Sequence, residues 1–212
     1  MKKIILSLVV VATVLTACKE NKKDKVEVKE AVQVAKVAST NNVDVASSTI
    51  TWLGSKPTGT HNGDIMLKEG SLVLDNGSLT GGEFVIDMTS INVLDIPADN
   101  EGNGKLKGHL SSPDFFDVAA FPTSKFVITS VENKEGKLHV TGNLTLKETT
   151  KSITIAAAIA TVDNVTTFTS EKFNVDRTDF GITYSSKKFD AALKDKFIND
   201  LMEISFVVKT KA

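Results

Sequence analysis

The chain has 212 residues, with 26 acidic against 25 basic side chains, a net charge of −1 and a pI near 6.3. That balance leaves no basic footprint for a nucleic acid, and a single cysteine excludes an internal disulfide framework. Beyond an N-terminal targeting segment, about 165 residues remain, enough for one domain with a real core.

The first residues address the chain to a membrane system. Lys2 and Lys3 precede an apolar run over 4–15, too short to span a bilayer, which takes about 20 residues. Leu15-Thr16-Ala17-Cys18 follows at once and resembles a bacterial lipobox. Residues 1–17 therefore read as a lipoprotein signal peptide, and Cys18 as the acylated first residue of the mature chain. The expected location is the bacterial cell envelope, lipid-anchored at the outer membrane, with the periplasmic or surface side left open. Residues 19–30, "KENKKDKVEVKE", carry five lysines and four acids, and 31–47 are small or polar. The stretch 18–47 reads as a solvated tether, and 48–212 as the folded domain.

From residue 49 onward alternation of period two dominates. Over 83–90, Phe84, Ile86 and Met88 oppose Glu83, Asp87 and Thr89. "GHLSSPDFFDVAAFPTSKF" (108–126) interrupts the strands. There Ser112 is a candidate N-cap, Pro113 a first helical residue, and Pro122 a stop; helix is also suggested over 104–110 and 189–197. Phe126 and Ile128 oppose Lys125 and Thr129. Leu138, Val140, Leu144 and Leu146 share one face of 137–147; His139 and Asn143 lie on the other. Ile153, Ile155 and Ile159 follow, then Met202, Ile204, Phe206 and Val208. Turn signals at Asn76-Gly77, 133–136 and Asp163-Asn164 separate the runs. Apolar faces with no helical layer to cover them must cover each other, in a sandwich or an antiparallel barrel. A barrel of about eight strands can be filled by side chains or can hold one small ligand. Ala157 and Gly142 fall on apolar faces, where small residues either leave room or admit bulky neighbours.

No enzyme signature is present. His61, His109 and His139 lack zinc-ligand spacing, there is no nucleophile elbow or P-loop, and Gly81-Gly82 reads as a bulge or tight turn. A metal site assembled in space stays open; the sequence itself points to no metal and no cofactor. Asp114 and Asp117 read as capping and solvation. Arg177 and Asp179 in "RTDFGITYSS" either pair to fix a loop or leave Arg177 as an anchor for an anionic headgroup.

Five stretches in order carry a resemblance: "TWLGSKPTGTHNGDIMLKEGSL", "LTGGEFVIDMTSINVLD", "GHLSSPDFFDVAAFPTSKFVITSV", "HVTGNLTLKETTKSITI" and "FNVDRTDFGI". Together they resemble the YceI-like family of secreted lipid-binding proteins, over about 49–209. The resemblance implies an all-β, lipocalin-like antiparallel barrel with one or two short helices. Its apolar lumen would hold a polyisoprenoid, an isoprenoid quinone or a similar chain, and it implies no catalysis. The lumen set expected from parity is Phe84, Ile86, Met88, Phe126, Ile128, Leu138, Val140, Leu144, Ile155, Ala157 and Phe206, with Phe115 and Phe116 as a lid. The lipobox and the long piece over 187–200 depart from the usual pattern. The expected partners are an apolar lipid and the membrane through Cys18, with no nucleic acid and with dimerisation open. The competing readings are a structural surface lipoprotein with a filled barrel, and an enzyme acting on a lipid in the same lumen.

Overall fold

The computed structural model describes residues 25–33 and 42–212. The expected signal peptide, Cys18 and part of the expected tether lie outside the described residues. The elements run in order: β1 (Val28–Glu30), β2 (Thr49–Lys56), β3 (Gly59–Ile65), β4 (Leu67–Asp75), β5 (Ser78–Asp87), β6 (Asn92–Val93), α1 (Glu101–Ser111), β7 (Thr123–Lys134), β8 (Lys137–Leu146), β9 (Thr149–Val162), β10 (Val165–Ser170), β11 (Phe173–Asp176) and β12 (Leu201–Lys209).

The described strands form one sheet in the order β4-β5-β7-β8-β9-β10-β12-β2-β3-β6, with β1 added to β9 and β11 to β12. Every pairing between named strands is antiparallel. The sheet curls into a half-barrel that β4 and β6 leave open. Of the twelve strands, β1, β6 and β11 are pieces of only 3, 2 and 4 residues, which leaves nine longer strands against the expected eight or so. Asn42 and Val43 stitch the free edge of β4: Val43 N donates to Gly70 O, and the Asn42 amide bonds both Leu72 N and Leu72 O. Asp44 N then donates to Lys209 O, which ties the same segment to the end of β12.

Hairpins form where the turn residues accept a left-handed backbone. Asn76 and Gly77 have φ of 48° and 79°, and Asp163 and Asn164 have φ of 48° and 64°. These are the positive values that two-residue hairpins demand. The β8–β9 hairpin instead places Lys147 at φ 52°, with no glycine or asparagine to announce it. Gly81-Gly82 lies within β5, beside a bulge where the register on β4 shifts between Val73 and Leu74.

Two sequence expectations are corrected. Ser112 ends a helix; it does not start one. Asn100 caps α1, its side chain accepting from Gly102 N, and Ser112 N–H bonds back to His109 O at the other end. Pro113 then stops the helix, and 113–116 form only a turn. Over 189–197 there is a three-residue 3-10 turn, Ala191–Leu193.

The second correction concerns the tether. Residues 25–33 are docked in the wall. β9 pairs β8 over 149–157 and β10 over 157–162, so its outer edge near Ile153 would be bare. β1 fills it, with Val28 opposite Ile153 and Glu30 opposite Lys151, while Lys25 bridges Asn174 of β11 in parallel. Val26 is buried in the main core and Val28 packs against it. Past the strand, the Asn143 side chain accepts from Val32 N and donates to Val32 O. Asn143 thus points out of the barrel, as parity requires, yet is buried beneath this strap.

The interior divides along the barrel axis. At the end bearing the hairpins 76–77, 135–136 and 163–164, Leu72, Leu79, Ile128, Val140 and Phe168 are packed without exposure above 5 %. Phe168 lies 5.0 Å from Phe206 and 6.1 Å from Phe84, centroid to centroid, and the three rings plug the barrel's middle. At the opposite end lie α1, the β2–β3 hairpin and the long β11–β12 connection, and there the interior is hollow.

Candidate functional site

Above the aromatic plug lies a cavity of about 280 Å³, far beyond the ~10–15 Å³ that admits one water. Strand parity builds its wall. β2 contributes Ile50 and Trp52, β5 Phe84 and Ile86, β7 Phe126, β8 Leu144 and Leu146, β9 Ile153 and Ile155, and β12 Met202, Ile204, Phe206 and Val208. Phe84, Phe126 and Phe206 form its floor. Leu106, His109 and Leu110, spaced i, i+3, i+4 on α1, roof the other side.

Most polar groups of the lining gather where the cavity opens, beside the exposed Lys56 and Gly59; the buried Ser124 and the Trp52 indole, whose Nε1 has no hydrogen-bond partner among the described residues, are polar groups within the wall itself. His61 Nδ1 lies 2.8 Å from Asp95 Oδ2, while Asp95 Oδ1 accepts from Asn62 N. Burial raises the Asp95 carboxyl, but the Asn62 amide and then His61 outweigh it and hold its pKa below the ordinary value. The Asn199 amide donates to Ser55 Oγ at 2.7 Å.

Arg177 is 1 % exposed. It donates to Ile182 O, Ile198 O and Asn199 O and pairs with Asp200 at 3.2 Å. Burial pushes the guanidinium down from its usual value, opposed by Asp200 and Asp176. The expected partner, Asp179, pairs with Lys25 instead. Arg177 is therefore a loop fastener: three of its five N–H groups donate to backbone carbonyls of the loop, and its charge is paired with Asp200. Beside it Asp176 Oδ1 accepts from Thr178 N and Oγ1, and Oδ2 from Lys25 and Lys188.

The two adjacent phenylalanines both sit in the wall at the opening. Phe115 is buried among His109 (5.1 Å), Tyr184 (5.9 Å) and the Arg177 guanidinium (5.5 Å). Phe116 packs on a small second core of Ile65, Met88, Ile91 and Val118. Their turn is held by Phe115 N to Ser112 O and Phe116 N to Leu110 O, and closes on Asp117 at φ 47°.

Of the lumen set drawn from parity, Phe84, Ile86, Met88, Phe126, Leu144, Ile155 and Phe206 line the cavity. Ile128, Leu138, Val140 and Ala157 do not; they belong to the closed end or to its packing. Parity tells which face is inward but not how far along the axis the space is filled. Gly142 leaves no room either: a Cβ there would lie 2.3 Å from Phe126 Cζ, so the Phe126 ring already occupies the space. Trp52, His61, His109, Met202, Ile204 and Asn199 were missed as site residues. Met202 and Ile204 share the Phe206 parity, which was the available signal. The polar groups meet only through tertiary folding. Among the described residues, no cluster of three or more His, Cys, Asp or Glu could hold a metal ion.

An antiparallel half-barrel, plugged at one end and hollow and apolar toward the other, defines a small-ligand barrel class. The chain belongs to the YceI-like family, whose domain matches residues 41–210. It is 33 % identical over 90 residues to a UPF0312 protein of Shewanella denitrificans, covering 42 % of this chain and 44 % of that one. It is 45 % identical over 51 residues to Protein YceI of Salmonella arizonae, covering 24 % and 27 %. The match thus spans less than half the length of these curated relatives. Among solved structures it resembles Burkholderia cenocepacia BcnA, with a TM-score of 0.61 and 21 % identity over 80 % of this chain and 100 % of that one. It also resembles a polyisoprenoid binding domain from Saccharophagus degradans, with a TM-score of 0.59 and 13 % identity over 82 % and 99 %. The strap, 25–33, lies outside the family match.

Proposed function

We propose that the chain binds one long apolar lipid, of isoprenoid type, in the cavity above the Phe84–Phe168–Phe206 plug, and carries it at the cell envelope. The observation that supports this most is the wall itself, which is built predominantly of apolar side chains, with most of its polar groups gathered toward the opening. Affinity comes from chain burial, at about 0.8 kcal/mol per CH₂, and the rim groups at Ser55, His61 and Asn199 orient the head. The Saccharophagus relative's polyisoprenoid supports the chain type. Binding without catalysis is the reading favoured here, since the depth of the cavity offers no titratable pair and Arg177 is engaged by the backbone. No cofactor is required.

The anchor is part of the same proposal. Cys18 is acylated after cleavage behind Ala17, which leaves six residues before the docked Lys25. At ~3.5 Å per extended residue the barrel stays within roughly 25 Å of the bilayer. Intact mass of the protein from its native envelope reads this directly; an uncleaved, unacylated chain refutes it.

The binding claim is tested with cis-parinaric acid, a fluorescent long-chain probe. It should load at one site per chain and be displaced by a polyprenol. A protein that takes up no probe even after organic extraction has a filled barrel and a structural role.

A further inference from the structure

The long connection between β11 and β12 carries chemistry that a loop bracing a barrel does not need. Its base is closed: Ile198 N donates to Ser185 O at 2.9 Å. That base stands on the cavity's rim, because Ile198 and Asn199 line the opening and Asn199 N donates to Ser55 O. Tyr184, just before it, is 41 % exposed and meets His109 edge-on at 4.8 Å.

The tip of the loop is apolar and unsupported. Phe189 is 64 % exposed, Ala191 and Ala192 are exposed, and Leu193 is half-buried. Asp190 is spent within the loop, its carboxylate accepting from Ala192 N. Lys188 turns inward to Asp176 and Asp200. Three lysines remain outward: Lys187, whose amine lies 4.0 Å over the Phe197 ring, and the exposed Lys194 and Lys196. They outnumber the acids beside them, Asp190 and Asp195. An exposed aromatic with small apolar neighbours, ringed by lysines whose stems can lie along it, suits an interface between water and acyl chains.

We propose that residues 184–197 form a membrane-docking loop that seats the cavity opening on an anionic lipid surface, with Phe189 inserted and Lys187, Lys194 and Lys196 at headgroup level. This rests on the lipid-binding reading above, since it gives a chain held in the bilayer a covered route into the cavity. A membrane is favoured over a protein partner because an exposed aromatic tip is ringed by lysines, the charge complement of anionic headgroups.

The test uses the chain from Lys19 onward, which retains every described residue and removes the anchor's own membrane affinity. Vesicles are phosphatidylcholine with phosphatidylglycerol. Phe189→Ser should weaken partitioning at least tenfold, because a buried Phe contributes that much or more. Lys194→Glu with Lys196→Glu should weaken it roughly tenfold or more and reverse its salt dependence, because the loop then repels the anionic surface. All three residues are exposed, so melting temperatures should hold, as should uptake of cis-parinaric acid dispersed in buffer. Uptake of the same probe from vesicles should slow. Equal partitioning by wild type and variants, or none by any, overturns the proposal. So does a dimer that Phe189→Ser dissolves, which would assign the tip to a second copy. Failure of the wild type to take up dispersed probe counts against the cavity reading alone, because vesicle partitioning still decides the docking loop.

Discussion

Gly142 shows how one missing side chain shapes the cavity. It pairs with Ile128 across β7 and β8, and the Phe126 ring folds over it. A methyl at 142 would meet Cζ at 2.3 Å, Cε2 at 2.6 Å and Cε1 at 2.9 Å, so the ring must move. The free direction is into the cavity, which Phe126 already lines. Gly142→Ala should therefore cost only about 1 kcal/mol, the low end for overpacking, while lowering probe capacity. The check is cis-parinaric acid bound per chain alongside the denaturation midpoint. Unchanged loading would mean the ring yields in another direction. Gly63 is a contrasting case: its added Cβ would lie 1.8 Å from Asn92 O and 2.6 Å from the Trp52 ring. The Asn92 clash is with backbone, so no side-chain rotation relieves it.

At the scale of elements the strap is the instructive case. Its sequence, "KVEVKE" over 25–30, alternates as a strand should, with Val26 and Val28 on one face and Lys25, Glu27 and Lys29 on the other. High charge made it read as tether, yet two valines suffice where a wall has a gap of the right width. Asp176 fastens it. Burial disfavours the Asp176 carboxylate, but hydrogen bonds from Lys188, Thr178 and Lys25 outweigh that and hold its pKa at about 2, against 3.8 ordinarily. A depressed carboxyl contributes stability above its unfolded pKa and loses it as pH falls through the folded one. The contribution, about 2 kcal/mol, should thus be present above pH 4 and vanish between pH 4 and 2. Chemical denaturation across that window should show the loss in the wild type, and Asp176→Asn should lack it. A variant with the wild-type acid profile would assign the loss elsewhere. Much else at this scale was legible. Asn-Gly and Asp-Asn announced their hairpins, and alternation marked the strands. The Lys147-Glu148 turn was not legible, because a lysine at positive φ carries no compositional sign. Nor was the full length of α1, where Gly102, Gly104 and Gly108 dilute the helical signal.

The whole molecule is a half-barrel whose interior is solid at one end and hollow at the other. Inward residues could be read from parity over β5, β7, β8, β9 and β12; where the hollow stops could not. That boundary depends on Phe84, Phe168 and Phe206 meeting from three strands, a coincidence in space with no local pattern. The rim is similar, since Ser55, His61, His109 and Asn199 come together from four separate segments. The central claim is that the hollow half holds a lipid chain. Its most direct test is mass spectrometry of the protein purified from its native host, first intact under native conditions and then as an organic extract. One non-covalent adduct per chain is expected, lost on extraction and recovered as a single class of long-chain isoprenoid lipid, and depleted in Gly142→Ala. A protein that carries no non-covalent adduct, with an extract no different from that of an unrelated protein prepared alongside, would contradict it.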